Sequence, residues 1–438
     1  MERPYFAPDR VGLQTDFYLL VLAAVYHADG LWGEATFDLY ARELPEGCGY
    51  LVAGGVVEAV EQALQLGFTA PEIAWMRGLD TFAKAPEAWW SALEHMRFDG
   101  EIHAVAEGTV VFPGEPVLRV TAPLVQATLL ESRLVQTVGY GTAVATRASR
   151  IIEAAGDRKV FDFGSRRMPS GDAALLAARA AMVGGFAGTT NSLAAAVLGV
   201  PVMGTLSAGF SAAYGDDARA LEAFRVHFPD VGYVSLPQKD VVEAVLELVP
   251  HRASIRIVRL DRRDLGRVSR RLRGALDAAG MERVKILGSG GLDEPRIAAL
   301  EAEGAPVDLL AVGRNLSQEP PKSGMVYRLA EIWRGPDPEP ATHTGASRWP
   351  GMKQVVRFHD HDLVCLVEEL EDATAGGRPL LEPVVLEGER VRPAPTLETS
   401  QARRAAAVAA LPEGVRALNP TEAWPVRVSD RLAALSLG

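Results

Sequence analysis

The sequence predicts an α/β protein organised around a parallel sheet, closed into a barrel or doubly wound, and three observations lead to that fold class. Apolar, β-branched runs recur at 159–163, 200–203, 231–236, 255–260, 284–287 and 307–312 with helical patterns between them, the alternation that a parallel sheet with crossover helices produces. The stretch 265–279 sets Leu265, Val268, Leu272 and Leu276 on one side and a run of arginines on the other, the spacing of an amphipathic helix. Glycine turns end the last two runs, Ser289-Gly290-Gly291 after one and Gly313 after the other. The 438 residues exceed one ordinary core but suit a barrel of roughly 200 to 250 residues with flanking modules.

Taken in order, residues 1–150 alternate helical stretches with a β segment at 105–121, where Glu107-Gly108-Thr109 and Pro113-Gly114-Glu115 punctuate Val-rich runs as turns do. This reads as an N-terminal α/β domain. Residues 151–335 carry the strand–helix rhythm and form the expected barrel domain. The stretch 335–340 is proline-rich and breaks the rhythm. Beyond it, 336–438 reads as shorter strands closed by a final Arg/Ala-rich helix from about Thr399, a tail expected to pack back onto the first domain.

Composition sets the bounds on partners and location. With 48% hydrophobic and 23% charged residues the chain falls in the ordinary globular range. Its net charge of -11 opposes broad binding to a nucleic-acid backbone, which calls for a clustered basic face. Anionic ligands must then be held by local groups. Pairs such as Arg262-Arg263 and Arg270-Arg271 alternate with acids and read as solvated helix faces. Cys48 and Cys365 are the only cysteines, too few for a disulfide framework or a thiolate zinc site, and a reducing compartment follows. His359 and His361 lie in a charged turn, read as exposed rather than metal-binding. The first ten residues hold two prolines and charges in place of an apolar signal, and no charge-free apolar run reaches membrane-spanning length. The expectation is a cytoplasmic protein with no membrane partner.

Chemistry concentrates at the ends of the predicted strands. In (β/α)₈ barrels the loops after the last two strands often bind phosphate through backbone N–H groups, and glycine allows the close approach. Gly290, Gly291 and Gly313 occupy those positions. Each turn alone is equally a plain tight turn; the pair points to phosphate. Asp162-Phe163-Gly164-Ser165-Arg166-Arg167 ends the first strand of the barrel, where two arginines suit a carboxylate or phosphate. On an extended strand only one of them would face the pocket, the other pairing structurally. Arg259 can hold an anion, and Asp261 can stabilise developing positive charge or order a metal. A barrel-top salt bridge is the alternative for each.

A family resemblance is carried by an ordered set of segments. They are Leu13-Gln14-Thr15-Asp16-Phe17-Tyr18, Ala35-Thr36-Phe37-Asp38-Leu39 with Leu44-Pro45, Glu107-Gly108-Thr109-Val110-Val111-Phe112-Pro113, Asp162 to Arg167, and Gly184-Gly185-Phe186-Ala187-Gly188-Thr189-Thr190-Asn191. Val258-Arg259-Leu260-Asp261, Ser289-Gly290-Gly291-Leu292-Asp293-Glu294 and Val312-Gly313 follow, then Pro350-Gly351, Lys353-Gln354-Val355, Leu411-Pro412 and Pro425-Val426. In this order they resemble the nicotinate phosphoribosyltransferase family over nearly the whole chain. The resemblance implies a (β/α) barrel of the type II phosphoribosyltransferase kind, with an N-terminal α/β sandwich-like domain completed by the C-terminal tail. It implies transfer of the 5-phosphoribosyl group of phosphoribosyl pyrophosphate onto nicotinate, giving nicotinate mononucleotide in NAD salvage, with Mg2+ accompanying the pyrophosphate. Asp261 and Arg259 become the catalytic pair. Arg166 or Arg167 would hold the nicotinate carboxylate, Tyr18 would stack on its ring from the partner subunit of a homodimer, and Gly290, Gly291 and Gly313 would take the 5-phosphate. Asp16, Phe163, Thr205, Ser289 and Arg314 are the further substrate-binding positions.

Four segments depart from the family pattern. Where the family has Gly-Thr-x-x-His, with a histidine phosphorylated by ATP, the sequence reads Gly204-Thr205-Leu206-Ser207-Ala208. Asp-Thr-Tyr-Asp-Thr becomes Ser235-Leu236-Pro237-Gln238-Lys239, Asp-Ser-Gly-Asp becomes Asp261-Arg262-Arg263-Asp264, and Val-Gly-Thr becomes Val312-Gly313-Arg314. Transfer without phosphohistidine coupling to ATP is the leading expectation. A different heteroaromatic acceptor, favoured by Ser165, Arg262, Arg263 and Arg314 reshaping the pocket, or a non-catalytic nucleotide-binding paralogue, are the alternatives.

Overall fold

A computed structural model describes residues 11–204, 206–215, 217–228, 232–235, 240–253, 255–317, 323–342, 349–373 and 376–436. The chain divides into two compact units, one of Met1–Thr146 with Pro321–Gly438 and one of Arg147–Pro320.

The first unit is built on a seven-stranded antiparallel sheet in the order Pro338–Pro340, Met325–Trp333, Glu34–Ala41, Pro116–Pro123, Glu101–Val105, Leu381–Leu386, Glu389–Arg390. The Glu34–Ala41 strand is buried at every residue after Glu34, because neighbouring strands pair on both edges and side chains cover both faces. Phe37 shows the consequence: it faces Leu329 on one side and Val120 on the other, and its ring stacks on Tyr327 at 4.7 Å. Residues 325–333, expected in the barrel domain, therefore belong to this unit, and the reason is their long-range pairing with 34–41. The segment Lys353-Gln354-Val355 proves structural. Lys353 Nζ reaches Asp38 at 2.7 Å with both side chains buried, and the Gln354 amide exchanges hydrogen bonds with both Leu381 N and Leu381 O. The Arg/Ala-rich helix is Leu397–Ala409, but it is not the last element. The strand Val426–Val428 and the helix Asp430–Leu435 follow it.

The second unit carries a six-stranded parallel sheet in the order Gly188–Thr189, Lys159–Asp162, Leu309–Val312, Lys285–Ser289, Ile257–Asp261, Tyr233–Ser235. The last strand of the unit pairs with the first, Leu309 with Lys159 through Val312 with Asp162, one of the pairings a (β/α) barrel requires. The run at 200–203 contributes one bridge, Thr189 to Val202, instead of a strand. Pro201 has no N–H to give to a ladder. The expected amphipathic helix forms as Leu265–Ala278, burying Leu265, Val268, Leu272 and Leu276. Arg270 and Arg271 lie on its solvent side, paired with Glu303 and Asp240. Arg262 and Arg263 precede this helix instead of lying on it, a correction that matters for the site.

Among the described residues no helix is long and apolar enough to cross a membrane. Cys48 and Cys365 are buried and form no disulfide. His359 is exposed, but the side chain of His361 is only 15% exposed and bonds Asp360 at 2.8 Å, since its ring stacks on Phe358.

Candidate active site

A cavity of about 830 Å³ opens at the C-terminal ends of the parallel strands, entirely within the second unit. Strand ends supply its wall: Phe163 follows Lys159–Asp162, Arg259 and Asp261 end Ile257–Asp261, Ser289 ends Lys285–Ser289, and Gly313 follows Leu309–Val312. Parallel strands all point their carboxyl ends to this face, which is why residues distant in sequence converge there.

Arg259 and Asp261 sit two residues apart on one strand and so share a face. Their side chains meet at 2.7 Å, Nη2 to Oδ2. Arg259 Nε also donates to Ser289 Oγ at 2.9 Å, and the Ser289 hydroxyl donates to Leu260 O at 3.2 Å. The guanidinium lies over the Phe163 ring, 5.4 Å from its centroid. Burial draws the Arg259 pKa below its ordinary value; Asp261 opposes that shift and Arg166 adds to it. Arg259 is thus a strut that fixes Asp261, while the Asp261 side chain stays 53% exposed toward the cavity.

The glycine loop is shaped by its neighbours. Gly290 has φ +111° and Gly291 φ +70°, conformations that side-chain-bearing residues rarely adopt. A Cβ on Gly290 would also lie 2.9 Å from Asp261 Oδ1. Behind the loop, Asp293 caps the helix Glu294–Ala302 by accepting from Arg296 N at 3.1 Å. Arg296 then folds back, donating from Nη1 to Gly290 O at 3.0 Å and Gly291 O at 2.8 Å, and from Nη2 to Arg263 O at 3.0 Å. Asn315 Nδ2 donates to Gly291 O and Leu292 O, both at 3.1 Å. With its carbonyls held from behind, the loop is rigid where an anion would meet its amides. Buried Glu294 is fixed by Arg147 at 3.2 Å and Arg150 at 3.5 Å.

Of the sequence-predicted residues, Arg259, Asp261, Phe163, Arg166, Arg167, Ser289, Gly290, Gly291, Gly313 and Arg314 all line this cavity. Arg166 and Arg167 both do so, against the expectation that only one would. The strand stops at Asp162, and Ser165–Arg167 is a single 3₁₀ turn, so the alternation of an extended strand does not apply. The turn starts where it does because buried Asp162 accepts from Gly164 N and Thr189 Oγ1, both at 2.7 Å. Burial raises the Asp162 pKa, and those two bonds oppose the rise. Tyr18 and Asp16 belong to the other unit and are not in this lining. There Asp16 Oδ2 accepts from Ser132 Oγ at 2.8 Å, and Tyr18 is 52% exposed on the helix Phe17–Ala28. Thr205 lies outside the described residues.

Sequence reasoning missed Arg296 and Asn315. The Asp293-Glu294-Pro295 start of a helix was a usable signal for Arg296, since a long side chain in the first turn can reach back over the loop before it. Nothing local announces Asn315, whose partners lie 23 and 24 residues away. Arg262 and Arg263, read as helix-face residues by composition and as pocket residues from the family departures, line the cavity. Among the described residues seven arginines line it against two aspartates, Asp261 and Asp293.

Comparison with known proteins gives a consistent result. A family model described as the nicotinate phosphoribosyltransferase (NAPRTase) N-terminal domain matches residues 13–139. The chain is 36% identical over 434 residues to nicotinate phosphoribosyltransferase pncB2 of Mycobacterium tuberculosis, covering 96% of this chain and 92% of that protein. It is 34% identical over 342 residues to the nicotinate phosphoribosyltransferase of Bacillus subtilis, covering 75% and 68%. Among solved structures, human nicotinic acid phosphoribosyltransferase superposes with a TM-score of 0.83 at 25% identity, over 96% of this chain and 98% of that one. A nicotinate-nucleotide pyrophosphorylase from Pyrococcus furiosus shares the fold, with a TM-score of 0.75 at 24% identity over 94% and 99%.

Proposed function

Because the chain belongs to the nicotinate phosphoribosyltransferase family, we propose that the strand-end cavity transfers the 5-phosphoribosyl group of phosphoribosyl pyrophosphate to nicotinate, giving nicotinate mononucleotide and pyrophosphate. The observation that carries this reading is the Arg259–Asp261 pair beside the braced Gly290-Gly291 loop, in one cavity. As the ring nitrogen of nicotinate bonds to the ribose C1, the C1–O bond breaks and its electron pair leaves with pyrophosphate. Positive charge develops on the sugar. The Asp261 carboxylate, held by Arg259, is the group that stabilises it. The amides of Gly290, Gly291 and Gly313 take the 5-phosphate, and Arg166 with Arg167 takes the nicotinate carboxylate. Both arginines line the cavity, which supports either as the clamp or the two together.

Two further parts of the reading rest on the family alone, a homodimer and Tyr18 of one subunit stacking on nicotinate in the other's site; a cytoplasmic location is favoured by the sparse cysteines. Coupling to ATP through a phosphohistidine is not part of it, because Ala208 stands where the family's histidine would be. Magnesium is expected to accompany the pyrophosphate of the substrate, and the described residues build no resident metal site beside it. Among the described residues there is no group of three His, Cys, Asp or Glu side chains able to hold a metal ion. Of the two lining aspartates, Asp261 is paired with Arg259 and Asp293 caps a helix.

The test is detection of nicotinate mononucleotide by mass spectrometry after incubating the purified protein with nicotinate and phosphoribosyl pyrophosphate, with and without ATP. Product without ATP is the expected result. Product only with ATP would refute the uncoupled reading. No product under either condition, with binding of phosphoribosyl pyrophosphate intact, would turn the assignment to another heteroaromatic acceptor, tested by competition, or to a non-catalytic paralogue.

A further inference from the structure

We propose that this cavity binds the diphosphate of its donor substrate through Arg262, Arg263 and Arg314, with no requirement for a divalent cation. The proposal rests on the reading above, in which the glycine loop takes the 5-phosphate. The strand leading into that loop, Lys285–Ser289, pairs with Ile257–Asp261 on one side and Leu309–Val312 on the other. Arg262 and Arg263 immediately follow the first of these neighbours and Arg314 closely follows the second. The three guanidinium-bearing residues therefore flank the glycine loop from both sides, and all three line the cavity. Contact between the loops is close, since a Cβ on Gly290 would sit 3.0 Å from Arg262 O. Arg296 binds Arg263 O as well as the glycine carbonyls, so one side chain sets the flanking loop and the glycine loop in register.

Charge decides what this arrangement favours. Seven arginines line the cavity against two aspartates, an excess of five positive charges among the described residues, and both aspartates are already engaged. Guanidinium stays charged at any physiological pH and binds phosphate oxygens through two parallel hydrogen bonds. A bare dication would be repelled here, and a magnesium–diphosphate complex would bring two fewer negative charges to the arginines than diphosphate alone. As the C1–O bond breaks, the charge gathering on the departing diphosphate is met by fixed guanidinium groups, the role a metal ion otherwise fills.

The experiment is calorimetric titration of the intact protein with inorganic pyrophosphate, once with EDTA and once with excess magnesium. It is repeated on the Arg262→Ala/Arg263→Ala double variant after a melting curve confirms its fold. The expected result is a dissociation constant in EDTA no more than about threefold above that in magnesium. In the variant, binding in EDTA weakens by about tenfold or more per arginine removed, the scale of a lost hydrogen bond to a charged group, and magnesium restores part of it. Binding by the native protein only when magnesium is present would overturn the proposal. So would metal-free binding that the double variant retains. Because this titration uses neither nicotinate nor turnover, its failure is separate from a failure of the transferase assignment, which the mononucleotide assay reads.

Discussion

Replacing Asp261 with asparagine removes one charge and almost no volume, so it isolates what that charge does. Two unit charges about 4 Å apart interact by about 4 kcal/mol at an effective dielectric constant of about 20. One carboxylate oxygen is held by Arg259 at 2.7 Å and the side chain is 53% exposed, which reduces the field reaching the sugar. A loss of ~2–3 kcal/mol in transition-state stabilisation remains, or roughly a 30- to 150-fold fall in kcat. Stability should change by less than ~1 kcal/mol, the usual range for an exposed ion pair. The Ser289 contact at 2.9 Å keeps Arg259 in place. Removing an anion from a cavity lined by seven arginines does not weaken donor binding, so KM for phosphoribosyl pyrophosphate should hold or fall. Initial rates of mononucleotide formation at saturating nicotinate, with the donor varied, separate the two constants. A kcat within threefold of the native value, or a loss confined to KM, would refute the assignment of Asp261 to the reacting sugar.

The loop and the interior of the other unit supply the remaining tests. Gly290→Ala must hold φ +111° with its Cβ 2.9 Å from Asp261 Oδ1; a backbone cost of ~1–3 kcal/mol and a rise of about tenfold or more in donor KM are expected, seen in a melting curve and steady-state rates. Burial, and then Asp362, raise the Glu115 pKa well above its ordinary value, with Arg357 opposing. Such a group binds its proton more tightly folded than unfolded, so the stability it gives at low pH is lost as pH climbs from the unfolded pKa through the folded one. Glu115→Gln should remove that loss, and its melting temperature relative to the native protein should increase with pH; a constant difference between pH 4 and pH 8 would contradict the shift. Lys353→Met leaves Asp38 buried without its 2.7 Å partner and should cost ~3–5 kcal/mol, whereas Lys353→Met combined with Asp38→Leu should recover most of it in denaturant titrations.

The barrel was legible in the sequence because its signals are local. Five of the six β-branched runs became strands at or near their predicted bounds, and the sixth failed for a reason visible in the chain, Pro201. Gly290 and Gly291 were legible because a positive φ leaves a residue-type signature. What stayed hidden depends on pairing across long separations. Met325–Trp333 falls within the expected bounds of the barrel domain until its register with Glu34–Ala41 is known. The orientation of Arg166 and Arg167 turned on where a strand ends, and that is set by Asp162 bonding Thr189, 27 residues on. Arg262 and Arg263 read as helix-face residues by their alternation with acids and as pocket residues by their departure from the family pattern, and the helix start at Leu265 leaves them off its face.

The choice between a working site and a relic turns on how the cavity spends its interactions. Seven cationic side chains around one cavity repel one another, and that repulsion is relieved when an anion enters. A site released from its task gains nothing by keeping it. Nor does a relic need two consecutive glycines with positive φ, five hydrogen bonds from Arg296 and Asn315 to the surrounding carbonyls, and a strut holding a half-exposed carboxylate at the cavity wall. The bracing rigidifies backbone that solvent alone would otherwise satisfy, and the groups it presents, amides, guanidinium ions and one carboxylate, are those that a phosphorylated sugar with developing positive charge requires. The missing histidine bears on how the reaction is driven; the braced loop and the Arg259–Asp261 strut bear on whether it occurs, and those are the parts this chain has kept.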